Sequence, residues 1–228
     1  MSRAQRMAAL AVLLTLVSGV VAALTLLVAD RDGDQGDQPR DLGAVVAGAN
    51  LTPQGAELVG LLQRGRQVTY HARYRSVSSE EGLEPGESTL SVWRRAALVR
   101  QDTETAAPGG VNRTAAFFLP SGLVSCAQAA GAAWSCQRLG EGDPAGADSL
   151  VSQVAARVGG RLVEARDDTV AGRAARCFTI FVGNETSDVC TTREGVPLRI
   201  AAGAASFELV ELTADVPEQA FRPPAQPA

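Results

Sequence analysis

The chain has 228 residues, a formal net charge of −4 and an aromatic content of only 4%. All 21 basic residues are arginine, and the overall balance gives no basic face of the kind that nucleic acid requires, so no nucleic-acid partner is expected. One histidine and four cysteines leave a zinc site short of its usual ligands if the cysteines pair, and no cofactor or metal is expected.

Residues 1–6 carry Arg3 and Arg6 and read as a cytoplasmic N-terminus. From Met7 to Ala29 no charge interrupts an apolar run, which as a helix spans roughly 34 Å against a hydrocarbon core of about 30 Å. A cleaved signal has a shorter apolar stretch and a small-x-small site, whereas this run closes on Leu27-Val28-Ala29. Residues 7–29 are therefore expected to stay as a transmembrane signal-anchor, with a cleaved signal peptide as the alternative. Arginines flank the run on both sides, so the positive-inside count barely orients it. The even cysteine count, with disulfides persisting only in an oxidising compartment, places the body outside the cytoplasm.

Residues 30–41 form an acidic, glycine- and proline-containing linker that reaches about 40 Å at most when extended. Residues 42–222 are the expected extracytoplasmic domain. Thr52-Pro53 starts a helix by capping and proline placement, Leu58, Leu61 and Leu62 give it an apolar stripe, and Gly65 is placed to end it. Apolar spacing then changes to period 2: Val68, Tyr70, Ala72 and Tyr74 alternate with Thr69, His71, Arg73 and Arg75. Strands follow at 88–93, 97–103, 113–119, 123–128 and 133–139, separated by turn residues such as Pro108-Gly109-Gly110. Asp143-Pro144 opens a second helix carrying Leu150, Val151, Val154, Ala155 and Val158 at helical spacing, and Gly159-Gly160 stops it. Strands resume at 162–170, 174–182, 188–193, 198–202 and 206–213. The chain closes with a short turn of helix and a loose proline-rich tail over 223–228.

The cysteines agree with this map. With Gly183-Asn184 as a two-residue hairpin loop, counting outward puts Cys177 opposite Cys190. Cys126 and Cys136 are symmetric about Gly131, so a short loop there sets them face to face as well. Cross-strand neighbours lie close enough for disulfides after modest twisting. The alternative is four free buried thiols.

Catalytic sets are missing from the pattern. His71 is isolated on a polar strand face, Glu80-Glu81 and Asp167-Asp168 read as solvated loop carboxylates, and the residues around Ser125 lack the glycine spacing of a nucleophile elbow. The expectation is that the protein is not an enzyme. The expected fold is α+β: a curved antiparallel half-barrel sheet with two or three helices on its concave side, behind one transmembrane helix. Such a sheet can leave an apolar cavity under its helices. The candidate lining is Val68, Tyr70, Tyr74, Leu90, Val92, Phe117, Leu119, Val151 and Val154. The alternative is that these side chains close into a solid core.

The C-terminal third carries a resemblance. Asp168-Thr169-Val170-Ala171-Gly172-Arg173-Ala174-Ala175-Arg176-Cys177-Phe178, then Glu194-Gly195-Val196-Pro197-Leu198-Arg199-Ile200 after Cys190, then Asp215-Val216-Pro217 to Phe221 with Pro223-Pro224, resemble the closing motifs of the LolA-like half-barrel family. That family includes lipoprotein carriers, actinobacterial lipid-handling lipoproteins and RseB-type envelope sensors. The resemblance implies a membrane-anchored binder of lipid or another hydrophobic ligand at the bacterial envelope, or a sensory module of the same fold that docks an envelope protein. No cysteine precedes Cys126, so the lipid anchor common among lipid-handling relatives is not available here. A short peptide tether favours action beside the membrane over free shuttling.

Overall fold

The computed structural model describes residues 51–228 apart from 79–85, 141–157, 159–160, 183–184 and 203–204. All of them belong to the second of two units, Asp41–Ala228. The expected membrane helix at 7–29, the linker, and Val151 and Val154 of the second helix lie outside the described residues. Among the described residues, no helix is long and apolar enough to cross a membrane.

Helix α1 spans Pro53–Gly65. Thr52 caps it, its hydroxyl accepting from the Gly55 amide at 3.1 Å, and Pro53 occupies the first turn, where an N–H is dispensable. Gly65 is its last residue, where the sequence places the end of the helix, and it also makes a close contact. It lies outside the left-handed region, and a Cβ there would come within 2.2 Å of the Gly195 carbonyl oxygen. The missing side chain lets the β9–β10 turn press against the end of the helix.

Eleven strands follow: β1 Tyr70–Ser78, β2 Gly86–Arg95, β3 Leu98–Ala107, β4 Gly110–Leu119, β5 Gly122–Gln128, β6 Ser135–Arg138, β7 Val163–Val170, β8 Arg173–Val182, β9 Glu185–Thr191, β10 Pro197–Ala202 and β11 Ala205–Thr213. They form one antiparallel sheet in the order β6-β5-β4-β3-β2-β1-β11-β10-β9-β8-β7. Two runs of consecutive hairpins thus meet where β1 pairs with β11, and β6 and β7 are the free edges. A twisted open sheet this wide curls, because each strand is rotated against its neighbour. The architecture fits an unclosed half-barrel carrying one described helix.

Register defines the two faces. Phe178 pairs with Val189, Val189 with Ile200, Ile200 with Phe207, Phe207 with Ser76, and Tyr74, Ala72 and Tyr70 follow by alternation. This inner face carries α1: Leu58, Val59, Leu61 and Leu62 pack with Val158, Val163, Phe178, Ile180 and Val189. Val158, from the segment expected to form a second helix, is helical and fully buried there. The outer face follows His71, Trp93, Arg100, Phe117 and Val124 across β1 to β5.

The two disulfides, Cys126–Cys136 and Cys177–Cys190, have the expected pairing, each joining directly opposed residues of a hairpin. Continuing the register puts both on the outer face. The tail is not loose. Beyond the 3-10 turn Glu218–Phe221, Ala225 packs beside Phe117, Val124 and the Cys126–Cys136 bridge, and the Ala228 amide donates to the Cys136 carbonyl at 3.1 Å.

Candidate functional site

The expected cavity lining divides between two faces. Tyr70 and Tyr74 are buried on the inner face in a cluster with Ala72, Leu198 and Leu209, and Val68, Leu90 and Val92 pack against it half-buried. Tyr74 donates from its hydroxyl to the Pro197 carbonyl at 3.0 Å, crossing β11 to reach it. Burial, with Tyr70 nearby, pushes the Tyr74 phenol well up from its ordinary pKa, so it stays a neutral donor. A tyrosine held this way is a packed core residue. Phe117 and Leu119 point to the outer face, where Phe117 is fully buried. They share no cavity wall with the tyrosines.

On the outer face, cross-strand neighbours form a ladder. His71 stacks on Trp93 with ring centroids 4.4 Å apart and planes 5° from parallel. Arg100 lies over Trp93 at 4.6 Å and over Phe117 at 5.1 Å, which places a cation between two aromatic faces. Asp102 holds the guanidinium in two bonds, Nε donating at 2.7 Å, while Nη1 donates to the Ala220 carbonyl at 2.8 Å. Burial raises the Asp102 pKa against the opposing pull of Arg100. Burial likewise lowers that of His71, and His71 Nε2 is buried without a hydrogen-bond partner among the described residues. These groups form a structural clamp. Among the described residues no cluster of His, Cys, Asp and Glu could hold a metal ion.

Elsewhere the outer face carries ion pairs. Arg73 meets Glu211 at 3.2 Å and Arg113 meets Glu104 at 2.8 Å. Around the Cys177–Cys190 bridge, Arg166 contacts Asp168 and Asp188, and Arg199 contacts Asp168. The β1–β11 ladder is bulged between Arg73 and Tyr74, which leaves Val210 without a partner and 56% exposed. An extra residue of this kind re-aims a side chain. Val210 and the 38% exposed Val111 flank an open groove of about 390 Å³ floored by Arg73, Arg75, Thr89, Glu104 and Ala106. A second depression, about 330 Å³, lies between Leu98, Leu119 and Pro120 and the C-terminal residues Glu218, Phe221 and Arg222. Tyr74 and Ser88 of the inner face also line the first, and its other residues lie on the face away from α1.

Solved structures give a comparison at the level of the chain trace. The chain is similar to MucB and to LprF. Against MucB of Pseudomonas aeruginosa, solved in complex with MucA, identity is 17% over 75% of this chain and 61% of that one, with a TM-score of 0.46. A second MucB structure aligns at 12% identity over 75% and 63% of the two chains, with a TM-score of 0.48. LprF of Mycobacterium bovis aligns at 12% identity over 78% of this chain and 100% of its own, with a TM-score of 0.42. The chain spans about three fifths of the length of the MucB chains. No protein-family model matches the sequence, and a comparison with curated proteins finds no relative.

Sequence reasoning missed the outer-face groove and the docked tail. The only signal for the groove was the break in alternation at Leu209-Val210-Glu211, where one residue too many separates the inward positions Leu209 and Leu212.

Proposed function

We propose that this is a non-catalytic binding module of the bacterial envelope, held beside the membrane by residues 7–29 and docking a partner protein through its outer face. One observation carries the reading: the exposed Val111 and Val210 flank an open groove on the outer face. Exposed Val111 and Val210 among fixed ion pairs offer apolar contact within a polar rim, the composition of a non-obligate interface. The test is a photo-crosslinking amino acid at Val111 or Val210 in the membrane-tethered chain. Adducts the size of a protein are expected from both positions and not from Leu90. Adducts from Leu90 alone would overturn the reading.

A second reading, a lipid or acyl chain held on the inner face, is favoured by a different observation. Leu90, Val92, Ala116, Phe118 and Leu123 share that face beyond the reach of α1 and are only half-buried. Burying an acyl chain stabilises a complex by about 0.8 kcal/mol per methylene, so even ten carbons of chain would be held measurably. On this reading Val92→Trp removes binding of a fluorescent fatty acid and leaves the circular dichroism unchanged. A wild-type chain that ignores the probe ends it.

A further inference from the structure

After Thr213 the chain turns back across the outer face. Val216 is buried, and Pro217 has φ −69° and ψ 144°, the geometry of a polyproline helix. The 3-10 turn then sets Phe221 into the sheet with 5% exposure. Hydrogen bonds hold the strap Pro217–Ala228: Arg100 to the Ala220 carbonyl, the Ala228 amide to the Cys136 carbonyl, and the Arg138 amide to the Ala228 carbonyl. Among the described residues no ion pair or disulfide ties it down.

What lies beneath is a built groove. Asp102, Trp93 and Phe117 fix the Arg100 guanidinium in place before any carbonyl reaches it. Trp134, Phe117 and the Cys126–Cys136 bridge form an apolar floor. The outer edge of β6 presents a donor and an acceptor to a passing backbone. The strap does not fill the groove, since the 330 Å³ depression remains open beside Phe221 and Arg222.

We propose that this groove is a peptide-recognition site for a proline-containing segment with one aromatic anchor, and that the strap is its resident occupant. The proposal rests on the partner-docking reading and names the segment the partner would insert. The strap itself displays the fitting chemistry: Phe221 as anchor, then Pro223-Pro224, then a backbone that pairs with β6. Aromatic-lined grooves take proline-containing segments because the fixed φ of proline leaves less entropy to lose on docking. In the same chain the strap competes at an effective concentration of millimolar order. A partner therefore displaces it only with the help of a second contact, which the charged half of the outer face and the Val210 groove provide.

The experiment uses the full chain in detergent and a fluorescein-labelled peptide of residues 217–228, followed by anisotropy. Phe221→Ala weakens the strap and should tighten binding of the peptide by about tenfold over wild type. Adding Arg100→Ala should abolish that gain, and a peptide with its prolines replaced by alanine should not bind. A folded Phe221→Ala chain that binds no better than wild type overturns the proposal. Should that variant fail to fold, hydrogen exchange on wild type decides. Millimolar peptide must then speed exchange at Ala220 and Ala228 while sparing the Cys177–Cys190 hairpin, and unchanged exchange overturns the groove. Loss of peptide binding with retained protein adducts at Val111 and Val210 rejects the groove alone. Peptide binding without any protein adduct rejects the partner reading instead.

Discussion

Gly195 and Gly65 meet back to back, and the contact shows how little room the helix–turn junction has. Gly195 has φ +89°, and a Cβ there would lie 1.7 Å from the Leu61 carbonyl oxygen, so backbone would have to move. Gly195→Ala should cost at least about 3 kcal/mol in urea unfolding, combining left-handed strain with displacement of α1. Gly172→Ala is the control: its φ is +72° but nothing lies within 4 Å, so about 1 kcal/mol of backbone strain is all that is expected. Equal losses at the two sites would mean that the junction is looser than it looks.

His71 gives the molecule an acid dependence. Desolvation lowers its pKa from 6.5, Arg73 and Arg100 add to that, and Glu211 and Asp102 oppose it. Folding therefore favours the neutral ring. The stability this contributes is present above pH 6.5 and is lost as the pH falls through the depressed folded value. His71→Phe keeps the stack on Trp93 and removes the titration, so its melting temperature should fall less than that of wild type as the pH drops below 6.5. Asp102 acts with the opposite sign, since burial raises its pKa and its contribution is lost on raising the pH. Parallel pH curves for the two proteins would remove His71 from the account.

Among the elements, the hairpins were the most legible. Period-2 alternation located every strand, and counting outward from Gly183-Asn184 set the β8–β9 register that the structure shows between Cys177 and Cys190. Replacing Cys177 and Cys190 together by alanine should cost about 2–3 kcal/mol by denaturant titration, the worth of closing a short loop in the unfolded chain. No loss would mean that the reduced chain already holds that hairpin.

Face assignment was less legible, for a definite reason. Phe117 and Phe118 are adjacent and both apolar, so either could be the inward residue. Only the register with Arg100 and Val99, set by the Pro108–Gly110 turn, decides that Phe117 faces outward. The tail was unreadable for another reason. Pro217–Ala228 has the composition of a loose end, and its dock depends on Arg100, 120 residues from Ala220 in the chain, and on an edge strand of four residues. Local sequence carries neither partner.

At the scale of the whole molecule, the two free edges are managed differently. Strand β7 exposes Glu164, Arg166, Asp167 and Asp168, charges that discourage pairing with another chain. Strand β6 is short and is covered by Ala228. An edge closed by the strap opens when the strap leaves, so docking and edge exposure are linked. The apolar run at 7–29 belongs to the same scale. The mature chain is expected to keep it and to remain with membranes at high salt. An N-terminus near residue 23 or 30 on released protein would contradict the anchor and free the domain to diffuse.

The central claim is that the outer face docks a partner protein. Native mass spectrometry of the full chain released gently from envelope membranes tests it most directly. The account predicts the bare chain together with a complex bearing an added protein mass, with no stoichiometric lipid on either. A chain carrying one tightly held lipid, lost on Val92→Trp and unaffected by substitutions at Val111 or Val210, would contradict it.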